Sequence, residues 1–243
     1  MIFLYKKIFW VAIFSVSMAF LESAVVIYLR ELYYPEGFSF PLKTLSEKII
    51  VTELFRELAT LIMMISIAFM VAVNKNDRFL WFIFVFGIWD IFYYVFLKIF
   101  LDWPASLLTW DILFLLPSTW VGPVICPIIN SLTMIIIAIM VLVPGKNGLK
   151  PSIARWEWAL LVAGAVLVFI SYTEEYYFYI RSEFDLSDVL FYSTNDELIE
   201  YASRFVPQHF RWGIFISGQL LFLAMMIIYG RRKFTKRLLS MFI

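Results

Sequence analysis

Residues 79–101 read FLWFIFVFGIWDIFYYVFLKIFL, an apolar run broken only by Asp90 and Lys98. A helix needs about 20 such residues to cross the hydrocarbon of a bilayer. Backbone N–H and C=O groups find no water there, so the run satisfies itself as a helix. Working outward, the windows 8–30, 49–73, 120–143, 156–173 and 212–230 have the same character, which predicts about six transmembrane spans. The expected fold class is therefore all-α, an integral membrane bundle forming a single transmembrane domain over residues 1–243.

Composition agrees with that reading. The 243 residues are 63% hydrophobic and 20% aromatic, only 16% are charged, and mean hydropathy is +0.85. No soluble domain keeps a solvated surface on such a balance. A net charge of +1 offers no basic footprint, so no nucleic-acid partner is expected. The lone His209 excludes bis-histidine haem ligation and the histidine-rich zinc sites of membrane proteases, and the lone Cys126 excludes an internal disulfide. No cofactor is expected, haem least of all.

Charge placement sets the topology. Lys6, Lys7, Lys75, Arg78, Lys146, Lys150, Arg155, Arg231, Arg232, Lys233, Lys236 and Arg237 all fall on one side when the spans number six. The positive-inside rule makes that side, with both termini, cytoplasmic. The apolar stretch after Lys7 outlasts the core of a signal peptide and is expected to remain as the first helix. The expected location is a cell membrane, bacterial and inner, with the chain passing through it several times.

Three longer connections lie on the outer side. In the first, Thr44 and Glu47 have the spacing of a capping box opening the second span. The second, 102–119, is too short to cross and too apolar for water, which predicts a short interfacial or re-entrant helix. The third, 173–211, carries eight acidic residues against three arginines. Within it Thr194 and Glu197 form another candidate capping box, and Leu198, Tyr201, Ala202 and Phe205 recur at helical spacing. That pattern predicts an amphipathic helix lying on the membrane surface. Pro123 and Pro127 are expected to kink the outer end of the fourth span. Trp103, Trp110, Trp120, Tyr176 and Tyr177 read as interfacial belt residues.

Charges inside a bilayer are costly and mark candidate sites. Glu22 lies about 21 Å along the first helix, in its outer half, at 1.5 Å rise per residue. Glu53, Arg56, Glu57 and Thr60 share one face of the second helix. Asp90, Tyr94 and Lys98, spaced by fours, climb the third helix with Tyr93 beside them, and Asp111 sits in the short outer segment. Five carboxylates against Arg56 and Lys98 leave an excess of three negative charges. A low-dielectric site holds such an excess only by protonation, a bound cation or separation into wet regions. Oxygen ligands suit sodium, calcium or magnesium. The same ion pairs also serve as purely structural locks on helix register.

Residues 86–127, FGIWDIFYYVFLKIFLDWPASLLTWDILFLLPSTWVGPVICP, together with ELFREL at 53–58, resemble segments of a group of uncharacterised polytopic membrane proteins of bacteria. The resemblance implies a polytopic membrane fold and no particular chemistry. Three functions remain open. The first is a transporter or ligand- or cation-binding membrane protein, with an outward-facing carboxylate–tyrosine site for a small molecule, ion or lipid. The second is a membrane subunit or scaffold whose outer acidic loop docks a protein partner. The third is a membrane-embedded enzyme acting on a lipid substrate from the outer face, although no nucleophile–base motif is recognisable.

Overall fold

A computed structural model describes residues 2–143, 152–185 and 196–239. In chain order the elements are α1 (Ile2–Tyr33), α2 (Glu47–Val71), α3 (Lys75–Leu101), β1 (Trp110–Phe114), β2 (Trp120–Pro123), α4 (Ile125–Leu142), α5 (Arg155–Arg181), α6 (Asp196–Ser203) and α7 (Trp212–Leu239). Six of these helices, all but α6, are long and apolar enough to cross a membrane. The chain is a multi-pass membrane protein with an all-α bundle. The Thr194 half of one expected capping box lies outside the described residues.

The stretch that decides the fold also forms its centre. A helix apolar all round finds partners on every side, and α3 packs against α1, α2 and α4. Its Leu80, Val85 and Leu97 are fully buried. Asn74 caps α3 by accepting the Asp77 N–H at 3.0 Å. The other end stops at Asp102, which takes the left-handed conformation (φ 49°). A second pair, α5 with α7, joins through α4. Small residues let these backbones approach closely, as is common between membrane helices. A Cβ at Gly87 would stand 2.7 Å from the Ser131 carbonyl oxygen, and one at Gly218 would stand 2.9 Å from the Gly164 carbonyl oxygen.

The second outer connection is an antiparallel hairpin of β1 and β2, rather than a short helix, with Asp111 opposite Gly122 and Ile112 opposite Val121. It takes residues 120–123 from the fourth span, so α4 begins at Ile125. Pro123 therefore ends a strand, and Pro127 sits in the first turn of α4, where a missing N–H costs nothing and no kink is required. Non-helical backbone at this position is tolerated because its polar groups are satisfied by protein. Val124 N–H donates to the Thr109 carbonyl at 3.0 Å and Ile125 N–H to the Leu107 carbonyl at 2.8 Å.

Thr44 does not cap α2. Ser46 precedes its first turn without a side-chain bond, while the Thr44 hydroxyl lies 3.3 Å from that of Ser203. The outer amphipathic helix exists as α6, but its apolar face is covered by protein. Leu198, Ala202 and the following Phe205 are buried in a cluster with Tyr176, Ile180 and Val121. Tyr176 and Trp120 are likewise internal contacts more than belt residues, Tyr176 edge-on to Phe205 and Trp120 stacked on Tyr172.

Candidate functional site: an outer carboxylate cavity

Helix periodicity brings the faces of three helices to one place. On α1, Glu22, Val26, Leu29 and Arg30 recur at three- and four-residue steps and share a side. Glu53, Arg56, Glu57 and Thr60 do the same on α2, and Trp89, Asp90 and Tyr93 supply a turn of α3. The hairpin closes the remaining side. These elements line a cavity of about 420 Å3, and residues 42–45 with Ile199, Ala202 and Ser203 line its outer end.

Of the sequence candidates, Glu22, Glu53, Arg56, Glu57, Asp90, Tyr93 and Asp111 line this cavity together. Tyr94 sits behind it, donating its hydroxyl to Asp111 Oδ2 at 3.2 Å. Lys98 does not belong to the site. Its ammonium is half exposed, pairs with the Asp102 carboxylate at 2.7 Å and donates to the carbonyls of Asp102 and Pro104. It closes the C-terminal end of α3, where a cation meets the unpaired carbonyls. That contact also holds the exposed Asp102 carboxyl below its ordinary range.

Two guanidinium groups organise the carboxylates. Arg56 binds Glu53 through Nε at 2.9 Å and Nη2 at 2.7 Å, and reaches across to the Glu22 carboxylate through Nη1. The Thr60 hydroxyl donates to the other Glu22 oxygen at 3.1 Å. This bridge ties α1 to α2. Arg30 donates through Nη2 to Asp111 Oδ1 at 3.0 Å. Its guanidinium lies 3.8 Å from the ring centroid of Trp103 and 4.4 Å from that of Phe38, so aromatic faces hold its plane.

The remaining carboxylates have neutral partners. Leu115 N–H donates to both oxygens of Glu57, at 3.2 and 3.0 Å, which ties α2 to the hairpin. The Ser131 hydroxyl of α4 donates to Asp90 Oδ2 at 2.6 Å. Five carboxyls thus face two guanidiniums, and Arg30 takes the place expected for Lys98. Burial pushes the Asp111 carboxyl up to about 6, against the opposing pull of Arg30, Tyr94 and its own strand's backbone. Two buried donors on lining residues have no acceptor, Arg30 Nη1 and Trp89 Nε1. Among the described residues, no group of three or more His, Cys, Asp or Glu side chains is placed to hold a metal ion.

Arg30 and Ser131 join the site beyond the candidates that sequence spacing offers. Arg30 stands eight residues after Glu22, on the same helix face, and that spacing was the available signal. Ser131 carried none, because its role depends on how α4 crosses α3.

The fold and the cavity define a class, a multi-pass helical membrane protein with a charged pocket embedded in one half of its bundle. No protein-family model, no curated protein and no solved structure matches the chain.

Proposed function

We propose that this chain is a ligand-binding or transport protein whose pocket takes, from the outer side of a bacterial inner membrane, a small molecule carrying a positively charged amine. One observation carries the reading: five carboxyls share a 420 Å3 cavity with two guanidiniums, each already paired, and with Lys43 at its outer end. A cavity of this size is within the roughly 300–1,000 Å3 of small-molecule sites. With Lys43 also in the lining, five carboxyls meet three cations, and an excess of two negative charges at low dielectric favours protons on some carboxyls. An arriving ammonium replaces them.

An organic cation fits better than a hard metal ion. Each carboxyl is anchored to its own partner, and an ammonium with several N–H groups reaches separate acceptors where a metal needs convergent ones. The subunit and enzyme readings draw on the same residues, but a scaffold has no need of a cavity. The outer placement is supported by the basic residues that flank the opposite ends of the spans.

Native mass spectrometry of the full chain released from a mild detergent tests the proposal. The expected result is a stoichiometric amine adduct that is absent from the Glu57→Gln/Asp90→Asn double variant. Both amides keep an oxygen acceptor for Leu115 N–H and Ser131, so the variant retains its fold. An adduct unchanged by the double substitution, or a loss of thermal stability without loss of binding, assigns these charges to structure.

A further inference from the structure

The carboxyls of the cavity fall into two kinds. Arg56 serves Glu22 and Glu53, and Arg30 serves Asp111. Glu57 and Asp90 line the same cavity, yet among the described residues neither has an ion-pair partner. Both oxygens of Glu57 share one donor, the Leu115 N–H. A carboxylate has about four acceptor positions, so most of this capacity is unused. Asp90 is 8% exposed, and Ser131 donates to its Oδ2 at 2.6 Å. Among the described residues nothing donates to Asp90 Oδ1, and that oxygen is not sealed inside protein. A carboxyl that is nine-tenths buried thus offers a free acceptor to the cavity it lines.

These two carboxyls stand at the same depth. The helices α2 and α3 run antiparallel and pack on each other, joined by a short turn between Val71 and Lys75. At 1.5 Å rise per residue, Glu57 lies about 21 Å from the end of α2 and Asp90 about 22 Å from the start of α3. Packed neighbouring helices stand about 8–10 Å apart, axis to axis. Glu57 and Asp90 therefore face the cavity side by side rather than one behind the other. Each is anchored to a different element, Glu57 to the hairpin and Asp90 to α4, so neither moves to share the other's partner.

The lining as a whole sets five carboxyls against Arg30, Lys43 and Arg56, so two negative charges are unmatched when all are ionised. The local pairing and the total charge give the same count. From this arrangement, and resting on the amine-binding reading above, we propose that the occupant is a linear aliphatic diamine. One ammonium meets Glu57 and the other meets Asp90. The methylenes between them lie against the apolar hairpin wall of Ile112, Leu113 and Phe114. A charge-assisted N–H···O bond is about 2.8 Å long, so a chain of four or five carbons reaches both carboxyls across neighbouring helices. A monoamine satisfies one carboxyl and leaves the other without a cation.

Titration calorimetry of the full chain in a mild detergent at neutral pH uses three probes, pentane-1,5-diamine, pentan-1-amine and 5-aminopentan-1-ol. The last matches the diamine in length and carries one charge fewer. The diamine is expected to bind at least tenfold more tightly than either monoamine. Glu57→Gln and Asp90→Asn, each alone, are expected to bring the diamine down to the affinity of the monoamines. Equal affinity for all three probes overturns the diamine and leaves the amine-binding reading standing. A diamine preference that survives either single substitution does the same. Binding of none of the three overturns the inference, while the adduct sought above by mass spectrometry decides the broader reading separately. The comparison of probes needs no variant, so a substitution that lowers the yield of folded protein does not leave the question open.

Discussion

Two buried acidic sites stand at opposite sides of the membrane, and they are built differently. At the side of the termini, Glu157 on α5 is 1% exposed and saturated. Its Oε1 accepts from Arg232 Nε at 3.0 Å, and its Oε2 accepts from Arg232 Nη2 at 2.5 Å and from Ala154 N–H at 2.6 Å. The neighbouring Lys233 donates to the carbonyls of Met140 and Val143, closing the end of α4. One carboxylate and one guanidinium clamp α5 to α7, and Lys233 ties α4 to the same end. At the other side, five carboxyls share two guanidiniums and Lys43 around a cavity. A saturated pair is complete without a ligand. The unbalanced cluster lining the cavity carries charge that the proposed amine would offset.

The largest effect expected from breaking this contrast is at the clamp. Arg232→Met leaves Glu157 buried without its cation, and removing one partner of a buried pair costs about 3–5 kcal/mol. Reversible unfolding in mixed micelles measures it, with ligand binding by the surviving folded protein unchanged. A loss below about 1 kcal/mol would rank the pair with surface bridges.

The next effect reverses the pattern. Glu57→Gln/Asp90→Asn is expected to weaken amine binding at least tenfold, about 1.4 kcal/mol, while the melting temperature moves by only a few degrees. Titration calorimetry and thermal melts on one preparation read the two quantities.

A smaller effect follows from Asp111. Its carboxyl rises from an unfolded value of 3.8 to about 6. Between these values the folded chain holds a proton that the unfolded chain has released. This group's contribution to stability is therefore full below about pH 4 and is lost as pH rises through about 6. Melts at pH 4.5, 5.5 and 7 should show that slope in the native chain and a flatter one in Asp111→Asn, where the amide oxygen still accepts from Arg30. Identical slopes would place the titration elsewhere.

The smallest effect is expected at Lys98. Its partner Asp102 is exposed, so Lys98→Ala should leave amine binding unchanged, as measured by the same titration. A binding defect would return Lys98 to the site.

Residue order alone determined the spans, the common side of the termini and most of the pocket. Spanning helices are written in runs of about 20 apolar residues, and a buried charge within such a run is conspicuous wherever it ends up. Glu22, Glu53, Glu57 and Asp90 were legible for that reason. Tertiary structure decided which cation serves which carboxyl. Arg30 and Lys98 stand equally near helix ends, and only the hairpin, by presenting Asp111 to one and leaving the other beside Asp102, separates their roles. The hairpin itself was illegible because a short apolar run has no period that distinguishes strand from helix. Beyond its own ladder, the Glu57 carboxylate accepts from Leu115 N–H, and the carbonyls of residues 107 and 109 accept from Ile125 and Val124 just after β2. The first of these belongs to a distant helix, so the choice between strand and helix was made by packing.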